Sequence, residues 1–147
     1  MNDAYRRICR QLGLPLPGPF SQDWECELPG KFRTVDWLEK YLAYHAAPGC
    51  SSDEREIMME LMLETANDLA NQTGQDVHVD KVIDALARNH RIHWEMIDYW
   101  ALEDSTLEDA FALTPAIRLL KAALLRPSSR RRKSAQHARR ASPDHRQ

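Results

Sequence analysis

Apolar residues recur at helical spacing along most of this chain. Tyr5, Ile8, Cys9 and Leu12 share one face of a short helix over residues 3–12, with Asp3 placed to cap it. Residues 13–19 (GLPLPGP) then break it, because proline fixes φ and lacks an amide donor, and they read as an irregular strap over the surface. Phe20, Trp24 and Leu28 fall in a loop that closes at Pro29-Gly30. Large apolar groups in a loop imply that it packs onto the body. A short strand over 24–28 is the alternative.

Thr34 is placed to cap the next helix, which runs to about residue 47. Val35, Leu38, Leu42 and His45 make one stripe, and Trp37, Tyr41 and Tyr44 another. So broad an apolar arc predicts neighbours on more than one side. Pro48-Gly49 ends it. Ser51-x-x-Glu54 is a capping-box pattern, opening a helix over 52–73. Ile57, Met58, Met59, Leu61, Met62, Leu63, Ala66, Leu69 and Ala70 cover most of its circumference. Glu56, Glu60, Glu64, Asn67 and Asn71 leave a narrow polar stripe. Such a helix belongs at the centre of a bundle, and Gly74 follows as its stop.

Val79, Ile83, Leu86, His90, His93, Ile97 and Trp100 step by four and three, a heptad-like seam over about 22 residues. The seam predicts one helix over 78–101, kinked near Asn89-His90, or two shorter helices joined there. Ser105-x-x-Glu108 is a second capping-box pattern, predicting a short helix through Leu113. Thr114-Pro115 supplies a cap and a first-turn proline for a last helix lined by Ile117, Leu120 and Leu124, which Pro127 ends. From Ser128 onward no large apolar residue occurs, so burial there cannot offset ordering entropy. The expected fold is all-α: an irregular bundle of five or six helices in one domain, 1–126, followed by a disordered Arg-rich tail, 127–147.

Charge divides the chain at the same place. Residues 1–125 hold 12 Lys+Arg against 21 Asp+Glu, a net −9, whereas 126–147 hold 8 against 1, a net +7. The overall −2 therefore conceals an acidic body and a basic tail with opposite preferences in partners. The apolar run at the N-terminus is short and broken by Pro15, Pro17 and Pro19, a poor signal peptide, and no stretch is long and apolar enough for a membrane span. Three widely spaced cysteines, Cys9, Cys26 and Cys50, form no even disulfide set. A cytoplasmic protein with reduced thiols and no membrane association is the expectation.

Catalytic patterns are absent: no Gly-x-Ser-x-Gly, no phosphate-binding glycine loop, no dinucleotide fingerprint. Cys50 and His45 flank the 48–49 turn but lack a third orienting group. His90 and His93 lie three apart on one helix face and are the weak candidates for a metal, and Glu60 and Glu64 lie four apart on another. No Glu-x-x-His pairing accompanies them, so core or interface histidines and a solvated glutamate stripe are the simpler reading. The seam also offers a homodimer interface over 79–100.

The reading these residues favour is a non-enzymatic interaction domain without a cofactor. Asp98, Glu103, Asp104, Glu108 and Asp109 cluster in sequence around Tyr99 and Phe111. Carboxylates speed encounter with a basic protein and aromatic groups anchor it, as in an immunity-type, antitoxin-type or adaptor protein. The alternative is weak, sequence-blind nucleic-acid binding through Arg130, Arg131, Arg132, Lys133, Arg139 and Arg140 by counterion release. A metal-dependent enzyme at His90 and His93 is the third reading.

Overall fold

Seven helices and two 3-10 turns make up the regular structure of residues 3–74 and 76–126, the part of the chain that this computed structural model describes. They are α1 (Asp3–Leu12), α2 (Trp24–Glu27), α3 (Val35–Ala46), α4 (Ser52–Thr73), α5 (Val77–Arg88), α6 (Trp94–Ala101) and α7 (Thr114–Leu125). The 3-10 turns are Gly30–Phe32 and Leu107–Asp109. No strand occurs among the described residues, and the fold is all-α.

α4 is the axis. Met58, Met59, Leu61, Met62, Leu63 and Ala66 have no exposed surface, and α1, α2, α3 and α5 all pack against it. Each large side chain so buried contributes about 1.5–3 kcal/mol of transfer free energy, so α4 is held by packing. α6 and α7 form an antiparallel pair: Thr114 at the start of α7 donates its hydroxyl to the Trp100 carbonyl at 2.8 Å, while Lys121 reaches back to Asp98. α7 also packs on α5.

Side chains close the helix ends as their positions require. Thr34 accepts from the Trp37 amide, Ser51 from the Glu54 amide, and Asp76 from the amides of His78 and Val79. Gly74 stops α4 at φ +79°, a left-handed conformation that costs glycine little. Burial alone would raise the Glu54 carboxyl, but Tyr44, Arg7 and Ser51 donate to it and bring it below its usual value.

The long helix over 78–101 is two helices. The break falls at 89–93, where the Asn89 side chain donates to the Ala85 carbonyl at 2.8 Å and the Asn89 carbonyl receives the amides of Ile92 and His93. The spacing of four and three survives the break because both helices face the same core: Val79, Leu86, His93, Ile97 and Trp100 are buried. The buried members of that stripe face the core of the chain, with Ile83 and His90 half-buried at its margin.

Residues 24–28 are a helical turn rather than a strand. Leu14, Trp24 and Leu28 are buried, and the Trp24 indole donates to the Pro15 carbonyl at 2.8 Å. Arg33 clamps the turn by donating to the carbonyls of Glu25, Cys26 and Leu28 while pairing with Asp68 at 2.9 Å. Phe20 stays outside, 93% exposed, against the expectation that it packs. The expected helix from Ser105 to Leu113 is reduced to the turn at 107–109, because Arg118 gathers the carbonyls of Ala101, Leu102 and Ser105 and pins the segment in an irregular path. Thr114 spends its hydroxyl on Trp100 and lies inside α7, whose N-cap is Leu113. No helix among the described residues is long and apolar enough to cross a membrane.

Candidate functional site

α6 ends at Leu102, whose φ of +42° is left-handed and turns the chain sharply. The turn brings residues 103–111 back beside the helix they have just left. Trp100 is buried, its ring 4.4 Å from that of Phe111, and Tyr99 lies 5.8 Å from Phe111. The three rings form a graded ledge: Trp100 is the foot, Phe111 is half-buried, and Tyr99 is 61% exposed. Leu107, in the same segment, is 58% exposed. Exposed rings braced by a buried one lose little entropy when a partner covers them.

The five carboxylates expected around these rings divide into two groups. Asp98 and Glu103 both bind the Lys121 ammonium, at 2.8 and 3.1 Å, and raise its pKa. Their charge is largely spent inside the molecule. Asp104, Glu108 and Asp109 are exposed, and no cation among the described residues pairs with them. Asp109 accepts only the Thr106 hydroxyl, at 3.2 Å. The charge offered outward is theirs.

The histidines do not converge as a metal site. His90 points its Nδ1 at the Ala87 carbonyl, 2.9 Å away, while His93 meets His45 of α3, Nε2 to Nε2 at 3.0 Å. Burial first, then the charge of Arg55, lowers the pKa of His45 to about 4; burial, then His45 and Arg55, does the same for His93. Both rings are therefore neutral at pH 7, and one Nε2–H donates to the other ring's lone pair. The Nδ1 of His93 is buried without a partner. We assign the bridging proton to His93, which leaves a lone pair at that Nδ1 and no buried N–H wasted. Cys50 donates toward the Ser51 carbonyl at 3.7 Å and makes no pair with His45.

Glu60 and Glu64 are half-buried, contrary to the solvated stripe expected of them. Glu64 accepts from the Cys26 thiol at 3.2 Å. Glu60 meets Asp23 and Glu25, one carboxylate oxygen from each lying within 4.8 Å of the others. Among the described residues this is the one group of three metal-capable side chains, and it contains no histidine. Burial first, then Glu25, Asp23 and Glu64, raises the Glu60 pKa to about 7. The sequence carried one signal for this group, Glu60 within the narrow polar stripe of a largely apolar helix, but its partners lie some 35 positions earlier in an irregular strap.

Arg130, Arg131, Arg132, Lys133, Arg139 and Arg140 lie outside the described residues. No protein-family model, curated protein or solved structure matches this chain.

Proposed function

We propose that this protein is a non-enzymatic interaction domain that binds a basic protein through the ledge of Tyr99, Phe111 and Leu107 and the carboxylates of Asp104, Glu108 and Asp109. The observation that carries this reading is the coincidence of an exposed ring, Tyr99, braced against the half-buried Phe111, with uncompensated carboxylates on the segment between them. Aromatic anchors supply contact area and resist dissociation, while unpaired surface charges steer approach. Asp98 and Glu103 take part indirectly: with Lys121 they tie α6 to α7 and so hold the ledge in place. Occlusion of the partner's basic surface is the mechanism, as in a small inhibitor or an adaptor.

The test is affinity capture from nuclease-treated lysate of the source organism, with the wild-type chain beside the triple variant Asp104→Lys, Glu108→Lys, Asp109→Lys. All three side chains are exposed, so the variant keeps the helical fold by circular dichroism. The expected result is a basic protein retained by the wild type and lost by the variant, with its on-rate reduced by about tenfold or more in low salt. Equal retention by both chains contradicts the assignment.

A further inference from the structure

The strap of residues 13–33 meets α4 through a charged contact that interaction through the ledge does not use. Glu25 is 3% exposed, yet it faces Glu60 across the boundary between α2 and α4, with Asp23 beside them. Three carboxylates this close cannot all ionise without mutual repulsion in a partly dry setting.

Among the described residues, no cation forms an ion pair with Asp23, Glu25 or Glu60. From α1, Tyr5 donates its hydroxyl to Glu25 at 2.7 Å and so stays protonated, its own pKa pushed up by burial and by Glu25. From the strap come Asp23, Glu25 and the Cys26 thiol, the last bound to Glu64. Glu27 faces away, toward Ser21 and the Gln22 amide. α4 itself adds Glu56, which is exposed, and Glu64. Arg33 is a cation on the strap, but its guanidinium is taken up by Asp68 and the carbonyls of Glu25 and Cys26. The charged groups that act on Glu60 are all negative.

Beside this contact lies a cavity of about 590 Å³ lined by Tyr5, Pro17, Pro19, Ser21, Gln22 and Trp24. Its aromatic wall is the edge-to-face pair of Tyr5 and Trp24, with ring centres 5.4 Å apart. Both residues belong to the contact: Tyr5 binds Glu25, and Trp24 is the first residue of α2. Any loosening of α2 therefore changes the cavity.

We propose that α2 is a proton-operated latch: one proton held among Asp23, Glu25 and Glu60 closes it on α4, and loss of that proton loosens α2 and reshapes the cavity beside it. The closed latch holds a proton that the open one releases. Opening is therefore favoured as pH rises from the ordinary glutamate value of 4.5 and levels off above about 7. The open population therefore responds to pH most steeply below about 7 and little above it. Leu28, buried just beyond α2, and the bonds of Arg33 to the Leu28 carbonyl and to Asp68 keep the strap attached while α2 loosens.

The test is amide exchange by NMR on the full chain at about pH 5.5 and about pH 7.5, corrected for intrinsic exchange rates. The reporters are the amides of Cys26 and Glu27, both bonded to the Asp23 carbonyl. Their protection is expected to fall at least about tenfold between the two pH values, while amides in the middle of α5 keep theirs. Glu60→Gln, which holds the position neutral, is expected to abolish the fall. Unchanged protection in the wild type, or the same fall in Glu60→Gln, overturns the proposal. Should Glu60→Gln not fold, a carboxyl carbon titration of Glu60 decides. The latch requires a midpoint near 7 in the wild type that moves down in Asp23→Asn, and a midpoint at the ordinary glutamate value refutes it.

Discussion

His45 and His93 are joined by a single hydrogen bond at 3.0 Å, and that bond exists only while both rings share no more than one proton between their Nε2 atoms. Their folded-state pKa values lie near 4, below the ordinary 6.5. The linkage sign follows: the stability they contribute is complete above pH 6.5 and is lost as pH falls through about 4. Urea denaturation should therefore show an acid-side loss that shrinks in the double variant His45→Leu, His93→Leu. His45→Leu alone strands a buried imidazole and should cost about 1–3 kcal/mol, whereas the double variant should cost less than the two singles summed. Equal and additive losses would mean that the two rings do not depend on each other. Glu60 acts with the opposite sign, its contribution falling as pH rises from 4.5 to about 7, so Glu60→Gln should steepen the net pH profile on its acid side.

At the scale of the helices, α4 was legible because so little of its circumference was polar and because Ser51 and Gly74 marked both ends. Packing of this kind makes Met62, which has no exposed surface, a sensitive position: Met62→Ala should cost about 2–5 kcal/mol in a denaturant titration. The α5–α6 break falls near Asn89-His90, where the sequence predicts a kink or a joint between two helices, although the spacing of apolar residues continues through it. Asn89 competes with the helix ladder through its side-chain amide, and periodicity alone does not weigh that competition. Asp76 caps α5 three residues ahead of Val79, the first residue of the apolar seam. Its carboxylate serves two backbone amides, so Asp76→Ala should remove about 1 kcal/mol and lower the melting temperature, with no change in the ledge. Ser105-x-x-Glu108 matched a capping pattern without forming the helix, because Arg118, later in the chain by 13 residues, claims the Ser105 carbonyl.

For the molecule as a whole, the class of fold followed from periodicity, but the contacts that give it chemical character did not. The His45–His93 bond spans 48 positions, and the Asp23, Glu25 and Glu60 group joins an irregular strap to the central helix. Spacing rules see neighbours on one element and miss such meetings. The ledge was legible in part. Its aromatic and acidic residues are adjacent in sequence, but only the position of Lys121 separates the spent carboxylates, Asp98 and Glu103, from the free ones. That division makes a prediction about salt: binding of the basic partner should weaken with ionic strength through Asp104, Glu108 and Asp109, and Asp98→Asn should change the salt slope less than Asp104→Asn. The measurement that most directly tests the central claim is site-specific photo-crosslinking in the source organism, with a photoreactive residue at Tyr99 in one chain and at Phe20 in another. Both positions are exposed, and only Tyr99 belongs to the ledge. The account predicts a discrete crosslink from position 99 to a basic protein, absent from position 20 and abolished by reversing Asp104, Glu108 and Asp109 to lysine. No crosslink at 99, or the same products from both positions, would contradict it.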